Sequence, residues 1–419
     1  MQTLQPVAST EREIFMDVLR GFAILGIFIA NLNGFSWYSA SAGNTGPWLL
    51  PGWDQKMHFL HYMFIEGKFY SIFSLLFGWG IALQFKRAAH KGIDALPTVK
   101  RRLIFMLLLG AVHLLLWPGD IVFFYALLGF ILLPFRKLSN KTLLITGALL
   151  ILSPILLYAA KSHWQWLNAP AGILFGTGEA LDKILFDRVI SNDNGIAAFL
   201  KEASWWEVFK ADLSGFFYRY GYLFFVSRVP KVLGMFLIGY ALGRSDFYQN
   251  IDRHKKVLYA IIAAGFIIGL PANYYLARYM SFFMDDYWQL KTHGLYQTIA
   301  YALGVVPLAL TYVAIFMLAS QNSAGKKLLF IFAPVGKMAF SNYIFQTLVG
   351  NIVFLGAGLG YIQMVGPVYY SIFGLLVFMV QIIISHGWLR YFNYGPLEWL
   401  WRSATYKQWQ IMRKSSIKQ

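Results

Sequence analysis

Long apolar runs separated by short polar connections dominate the hydrophobic pattern of this chain. A membrane-spanning helix needs about 20 mostly apolar residues, and segments approaching this length recur ten times. They lie near residues 14–36, 64–86, 101–117, 120–136, 141–160, 226–244, 256–277, 293–319, 336–357 and 366–390. The pattern predicts an all-α, polytopic membrane helix bundle of about ten transmembrane helices, with residues 1–419 forming a single transmembrane domain.

The stretch 161–225 interrupts this pattern. It is long, and its tryptophans in "HWQW" and "SWWEVF" are typical of helices that lie at a membrane surface. We therefore expect an external loop or cap with surface helices between the fifth and sixth spans. A lid over a binding site and an ordinary amphipathic connector both remain open as roles for it.

Composition agrees with a membrane protein and excludes several other classes. The chain is 58% hydrophobic and 13% charged, with a mean hydropathy of +0.53, whereas soluble domains are about 25% charged. There are no cysteines. This excludes disulfides, a thiolate nucleophile and a cysteine-ligated metal site.

The net charge of +17 comes from 36 Lys and Arg residues against 19 Asp and Glu residues. The basic residues cluster in alternate connections between apolar runs, which is the distribution expected of cytoplasmic loops. It predicts a multi-pass membrane protein with both termini in the cytoplasm. Because these cations are divided among many connections, they do not indicate nucleic acid binding. Binding of an anionic ligand at the cytoplasmic face remains an open alternative.

An ionisable side chain inside a span is costly and usually has a function or a partner. The segment "LLLGAVHLLLWPGDIVFFYALLGF" contains His113, and a Pro-Gly turn separates it from Asp120. The turn predicts that both side chains lie near the outer ends of neighbouring helices, as in an acid–base pair. The alternative is structural: His113 in a helix contact and Asp120 as a helix N-cap.

Six segments occur in one order along the chain and together resemble the YeiB-like family of bacterial membrane proteins. They are "MDVLRGFAILGIFIANL", "KFYSIFSLLFGWGIAL", "RRLIFMLLLGAVHLLLWPGDIVFFYALLGFILLPFR", "LGMFLIGYALGR", "GKMAFSNYIFQ" and "GPLEWLWRSATY". The family is similar to transmembrane acyltransferases such as heparan-alpha-glucosaminide N-acetyltransferase. The resemblance implies an enzyme that takes acetyl-CoA, or another acyl-CoA, at the cytoplasmic side. It would acylate an amine or hydroxyl of a sugar or glycan outside.

The resemblance also implies site roles. Related polysaccharide acyltransferases have an arginine in the first span, then ten residues, then a catalytic histidine; here Arg20 is followed by ten residues and Asn31. His113 would then be the general base and Asp120 its orienting partner. Asn31 would bind the thioester carbonyl. The remaining candidates are Glu66 as a further catalytic residue and Arg20, Arg101, Arg102, Arg244 and Lys337 for the CoA phosphates.

Alternatives remain for the catalytic base and for the function. His58 or His61 is a rival for the base; no third ligand accompanies this pair, so no metal is predicted. A small-molecule or lipid-precursor transporter with a buried proton relay is the rival function. Paired interrupted helices in two halves would favour a transporter, and the sequence shows no such symmetry. Expected partners are membrane lipid and a small-molecule or glycan acceptor, with a homodimer left open.

Overall fold

The computed structural model describes residues 14–39, 44–190, 195–280 and 284–414, which form α-helices and no β-strand. The first ten helices are α1 (Ile14–Ser36), α2 (Pro51–Phe64), α3 (Lys68–His90), α4 (Leu96–Leu114), α5 (Val122–Phe135), α6 (Asn140–His163), α7 (Ala169–Phe186), α8 (Gly195–Glu202), α9 (Trp205–Phe225) and α10 (Arg228–Arg244). The others are α11 (Ile251–Ala264), α12 (Leu270–Tyr279), α13 (Met284–Trp288), α14 (Thr292–Ala319), α15 (Ser323–Leu329), α16 (Ala333–Lys337), α17 (Ala339–Phe354), α18 (Pro367–Tyr391) and α19 (Pro396–Tyr406).

The all-α prediction is confirmed, and each apolar segment predicted from the sequence contains a helix. Within the described residues, five helices are long and apolar enough to cross a membrane, namely α1, α6, α11 continued by α12, α14 and α18. Two bent pairs raise this number to seven: α9 with α10, and residues 323–337 with α17. The chain is therefore a multi-pass membrane protein, and the count of ten spans stays a prediction.

Helices α3 and α10 pack against each other at glycines. A Cβ on Gly78 would collide with the carbonyl oxygen of Phe236, and one on Gly239 would collide with that of Leu75. Small residues allow two backbones to approach closely in a membrane, where van der Waals packing replaces the hydrophobic driving force. This contact fixes α10, and with it Arg228 at its first position, beside α3.

We predict that Gly239→Ala lowers the free energy of unfolding by about 1–3 kcal/mol, because the added methyl overpacks the α3–α10 contact. Thermal unfolding in detergent measures this effect. Gly172→Ala in α7 is the matched control, since a Cβ there has no atom within 4 Å. An equal loss of stability in both variants would contradict the packing argument.

The stretch 161–225 is helical through most of its described length. A capping box between Ser204 and Glu207 starts α9, and α9 packs along α7. A bend of 73° then separates α9 from α10. The ammonium group of Lys161 donates to the carbonyl oxygens of Phe224 and Phe225 at 2.9 and 2.8 Å, so it satisfies the C-terminal end of α9 at this bend. The external position of residues 161–225 stays a prediction.

Candidate functional site: two adjoining cavities

A cavity of about 250 Å³ lies among α1, α3, α4, α16, α17 and α19, and we call it the cationic cavity. Its basic lining residues are Arg20, Arg87, Arg102, Lys337 and Arg402. On α1, α3 and α4 the cation that lines the cavity lies about one turn from an apolar lining residue. These apolar residues are Ile24, Leu83 and Met106. The cavity thus has a cationic mouth and an apolar interior.

Close helix packing brings two of these cations together. A Cβ on Gly336 would collide with the carbonyl oxygen of Asp17, so α16 lies directly against the first turns of α1. This contact sets Lys337 beside the same cavity as Arg20, whose guanidinium donates to Asp17 at 2.8 Å. Lys337 also marks the second bend, of 76°, between residues 323–337 and α17.

Glu398 in α19 connects two of the sequence segments that define the family resemblance. Its carboxylate accepts hydrogen bonds from the backbone amides of Phe340 and Ser341 at 2.6 and 3.0 Å. It therefore stabilises the N-terminal end of α17, where amides lack helical partners. Burial raises the pKa of the Glu398 carboxyl, although these hydrogen bonds oppose the rise. Among the described residues it is the single carboxylate that lines the cationic cavity.

A second cavity, of about 240 Å³, contains three of the four candidate catalytic residues, and we call it the carboxylate cavity. Asn31, Glu66 and Asp120 line it, together with Arg219 and Arg228. These residues come from α1, α9, α10 and the turns that precede α3 and α5. The structure therefore gathers residues that are distant in the sequence into one site.

The His113–Asp120 pair has the proximity that the Pro-Gly turn predicts. Nδ1 of His113 lies 2.6 Å from Oδ2 of Asp120, and its Nε2 lies 2.9 Å from Oγ1 of Thr347. The other carboxylate oxygen, Oδ1, accepts from the backbone amide of Phe123 at 2.7 Å, so Asp120 also caps the start of α5. Asp120 lines the carboxylate cavity whereas His113 lines neither cavity and is 1% exposed. Asp120 is equally buried, at 1% exposed, so the two residues differ in whether they line the cavity and not in exposure.

Three side chains line both cavities: Ile27, Ile121 and Tyr343. We call them the dividing wall. The ring of Tyr343 lies 5.0 Å from that of His113, which connects the wall to the buried pair. Helix α1 runs past both cavities, with Arg20 in the first and Asn31, about 16 Å further along the helix, in the second.

Two predicted phosphate-binding residues lie elsewhere. Nε of Arg101 donates to the carbonyl oxygen of Thr405 at 3.0 Å. Nη1 of Arg244 donates to the carbonyl oxygens of Arg136 and Leu138 at 3.0 and 2.9 Å. Neither lines the cationic cavity. Their donors instead satisfy helix ends and neighbouring backbone.

The rival histidines lie in α2, away from both cavities. His61 contacts Ser371 Oγ through Nε2 at 2.9 Å and Tyr370 OH through Nδ1 at 3.2 Å. Burial, together with neighbouring His58, lowers the pKa of His61 to about 4, so its ring is neutral at physiological pH. The described residues contain no cluster of three or more His, Asp or Glu side chains suited to a metal ion.

The sequence did not single out several lining residues. Arg87 and Arg402 look like ordinary loop and tail cations, and Arg219 lies in the stretch expected to be a surface connector. Arg228 has the pattern of a side chain that extends from a span end towards water. Of these four residues, only Arg402 could have been found from the sequence, because it belongs to "GPLEWLWRSATY", one of the segments of the family resemblance.

This architecture defines a multi-pass α-helical membrane protein with ionisable side chains gathered at two adjoining internal cavities. The chain is 33% identical over 438 residues to the uncharacterized protein YxaH of Bacillus subtilis (strain 168), covering 99% of this chain and 100% of that protein. It is 30% identical over 412 residues to the uncharacterized protein YeiB of Escherichia coli (strain K12), covering 94% and 96%. The chain belongs to the YeiB-like family.

Two further comparisons agree with this family. The family described as "Protein of unknown function (DUF418)" matches residues 242–408. The uncharacterized 39.9 kDa protein in amylase 3'region of Bacillus acidopullulyticus is 28% identical over 409 residues, covering 97% of each chain. No solved structure matches the chain. None of these names assigns an activity, so a functional hypothesis must rest on the two cavities.

Proposed function

We propose that this protein is a membrane acyltransferase that moves an acyl group from acetyl-CoA, or another acyl-CoA, to an amine or hydroxyl acceptor. One observation carries the proposal: a cationic cavity and a carboxylate cavity share a thin wall. The distribution of Lys and Arg supports a cytoplasmic position for the cationic mouth and an outer position for the carboxylate cavity. That arrangement suits a donor from the cytoplasm and a sugar or glycan acceptor from outside, in the bacterial inner membrane.

The cationic cavity suits the two ends of CoA. Guanidinium groups make bidentate, charge-assisted hydrogen bonds to phosphates, and Arg20, Arg102 and Arg402 contribute three of them at the mouth. Tyr406 adds an aromatic ring there for the adenine, and the Arg102 guanidinium already lies over the ring of Trp401 at 4.9 Å. The less polar pantetheine arm would extend along the apolar interior, which ends at the dividing wall.

The carboxylate cavity suits the acceptor and the transfer step. The acceptor oxygen or nitrogen attacks the thioester carbonyl carbon and loses its proton to Asp120, while His113 fixes that carboxylate. Asn31 donates a hydrogen bond to the carbonyl oxygen as negative charge develops on it. The carbon–sulfur bond then breaks, and the proton passes to the CoA sulfur. Glu66 is the second carboxylate at hand for these proton transfers. The roles of His113 and Asp120 are thus reversed relative to those expected from the sequence.

Arg102→Ala tests the donor site. We expect it to weaken CoA binding about 10–100-fold, because a charge-assisted hydrogen bond contributes about 1.5–3 kcal/mol. The loss should be larger at low salt, where charges are less screened. Calorimetry per folded molecule measures the affinity.

Arg101→Ala is the matched control for Arg102→Ala. It removes the neighbouring cation, with the same expected effect on membrane insertion, but its guanidinium contacts Thr405 and does not line the cavity. A smaller change in affinity is expected. Equal affinities in the wild type and Arg102→Ala, or an equal loss in both variants, would contradict the donor site.

A transporter is the second candidate, and the two bent helix pairs favour it. Interrupted helices often form transporter binding sites, and here the bends bring Arg228 to one cavity and Lys337 to the other. The fate of acetyl-CoA separates the functions. A transferase releases CoA thiol and labels an acceptor in membrane vesicles, whereas a transporter leaves acetyl-CoA intact.

A further inference from the structure

Buried and half-buried basic side chains gather on one side of the carboxylate cavity. Arg219 and Arg228 line it, and Lys231 follows Arg228 by one turn of α10. Nη1 of Arg228 donates to the hydroxyls of Tyr70 and Tyr301. Nζ of Lys231, whose residue is 3% exposed, lies 3.2 Å from the centre of the Tyr301 ring. The two phenols therefore hold both cations in place beside the cavity.

Basic side chains outnumber the carboxylates around them. Lys68 is fully buried and near enough to interact with Lys231, so four basic side chains lie here with Arg219 and Arg228. Glu66 and Asp120 supply two carboxylates, and Asp120 already contacts His113. Arginine stays protonated in proteins, so Arg219 and Arg228 keep a fixed positive charge in this site.

Two of the donors also lack hydrogen-bond partners. Within the described residues, neither Nε of Arg219 nor Nζ of Lys231 has a hydrogen-bond acceptor, and both atoms are buried. Buried donors are nearly always satisfied in folded proteins. Arg219 lines the carboxylate cavity whereas Lys231 does not. A ligand there that brings acceptor oxygens and negative charge would satisfy Arg219, whereas a neutral sugar would not compensate its charge.

We propose that the carboxylate cavity binds a phosphate group. A phosphomonoester carries about −1.5 to −2 charge near pH 7 and three acceptor oxygens, which suits two guanidinium groups better than a single carboxylate does. On the proposed transferase function, the acceptor is then a phosphorylated molecule held at Arg219 and Arg228. Its hydroxyl or amine reaches Asp120, which lines the same cavity.

Phosphate binding is tested without CoA, so its outcome is independent of the transferase proposal. The probes are dioctanoyl phosphatidic acid, dioctanoylglycerol and glycerol 3-phosphate, titrated against the full-length protein in detergent with a thermal-shift readout. We expect a phosphate-bearing probe to bind at least about tenfold more tightly than dioctanoylglycerol. Stronger binding of phosphatidic acid alone indicates a lipid-borne phosphate, and binding of glycerol 3-phosphate as well indicates that a soluble phosphoester suffices.

The variants locate the site. Arg219→Gln and Arg228→Gln should each weaken phosphate binding about tenfold or more. Nε of Arg219 has no hydrogen-bond partner to lose, so Arg219→Gln still tests the site if Arg228→Gln unfolds. Arg244→Gln, the same change at the other end of α10, should leave binding unchanged because Arg244 donates to Arg136 and Leu138. Equal binding of all three probes, or an equal loss in Arg244→Gln and Arg219→Gln, would overturn the proposal.

Discussion

Asp120→Asn is expected to lower acyl transfer about 10²–10⁴-fold, the usual contribution of general-base catalysis, while CoA binding is retained. Asparagine can still accept from the amide of Phe123 and hydrogen-bond to His113, so the local structure keeps its contacts. It cannot take the acceptor's proton. The measurement is incorporation of radiolabel from acetyl-CoA into membrane vesicles, normalised to folded protein.

Two companion variants separate the possible bases. His113→Asn keeps an amide donor near the position of Nδ1, so it should reduce transfer less than Asp120→Asn if the imidazole only holds the carboxylate. Glu66→Gln tests the second carboxylate in the same cavity. Full transfer by Asp120→Asn would contradict its role as the base. A greater loss in His113→Asn would restore the histidine as the base, and a greater loss in Glu66→Gln would identify Glu66.

Ile27→Trp is expected to lower transfer about 10²-fold, because a displacement of about 1 Å between reacting groups costs that much. Ile27 belongs to the dividing wall, and a larger side chain there would separate the thioester from the acceptor. CoA affinity should change little, since Arg20, one of the proposed phosphate-binding residues, lies two turns away on the same helix. Radiolabel transfer and calorimetry measure the two quantities on the same preparation.

Ile27→Leu is the matched control, because it conserves volume and should keep near-normal transfer. If Ile27→Trp transferred at the wild-type rate, the reacting groups would not meet at the dividing wall. A loss of CoA binding equal to the loss of transfer would instead indicate that tryptophan blocks the donor cavity itself.

The fold was predictable from the sequence because bilayer thickness imposes a length on every apolar segment. The segment near 14–36 became α1 with almost the same bounds. The bends between α9 and α10 and before α17 were not predictable from hydropathy. Hydropathy gives the length of an apolar segment but not the direction of its helix. Lys161 stabilises one bend through the carbonyl oxygens of Phe224 and Phe225, across more than sixty residues of chain. Only tertiary structure reveals such a contact.

The candidate site was predictable where its residues are close in the sequence. His113 and Asp120 flank one tight turn, and the structure brings them together. Arg101 and Arg102 could not be distinguished, because neighbouring residues on a helix point about 100° apart and the sequence does not say which faces the cavity. Arg219 and Glu398 come from distant segments, so their approach to the cavities follows from packing alone.

A structure of the protein with bound acetyl-CoA tests the central claim most directly. We expect phosphate groups at Arg20, Arg102 and Arg402 and the thioester against the dividing wall of Ile27, Ile121 and Tyr343. An empty cationic cavity in a structure determined at saturating acetyl-CoA would contradict the proposed donor site. A bound molecule whose thioester points away from that wall would contradict the proposed place of transfer.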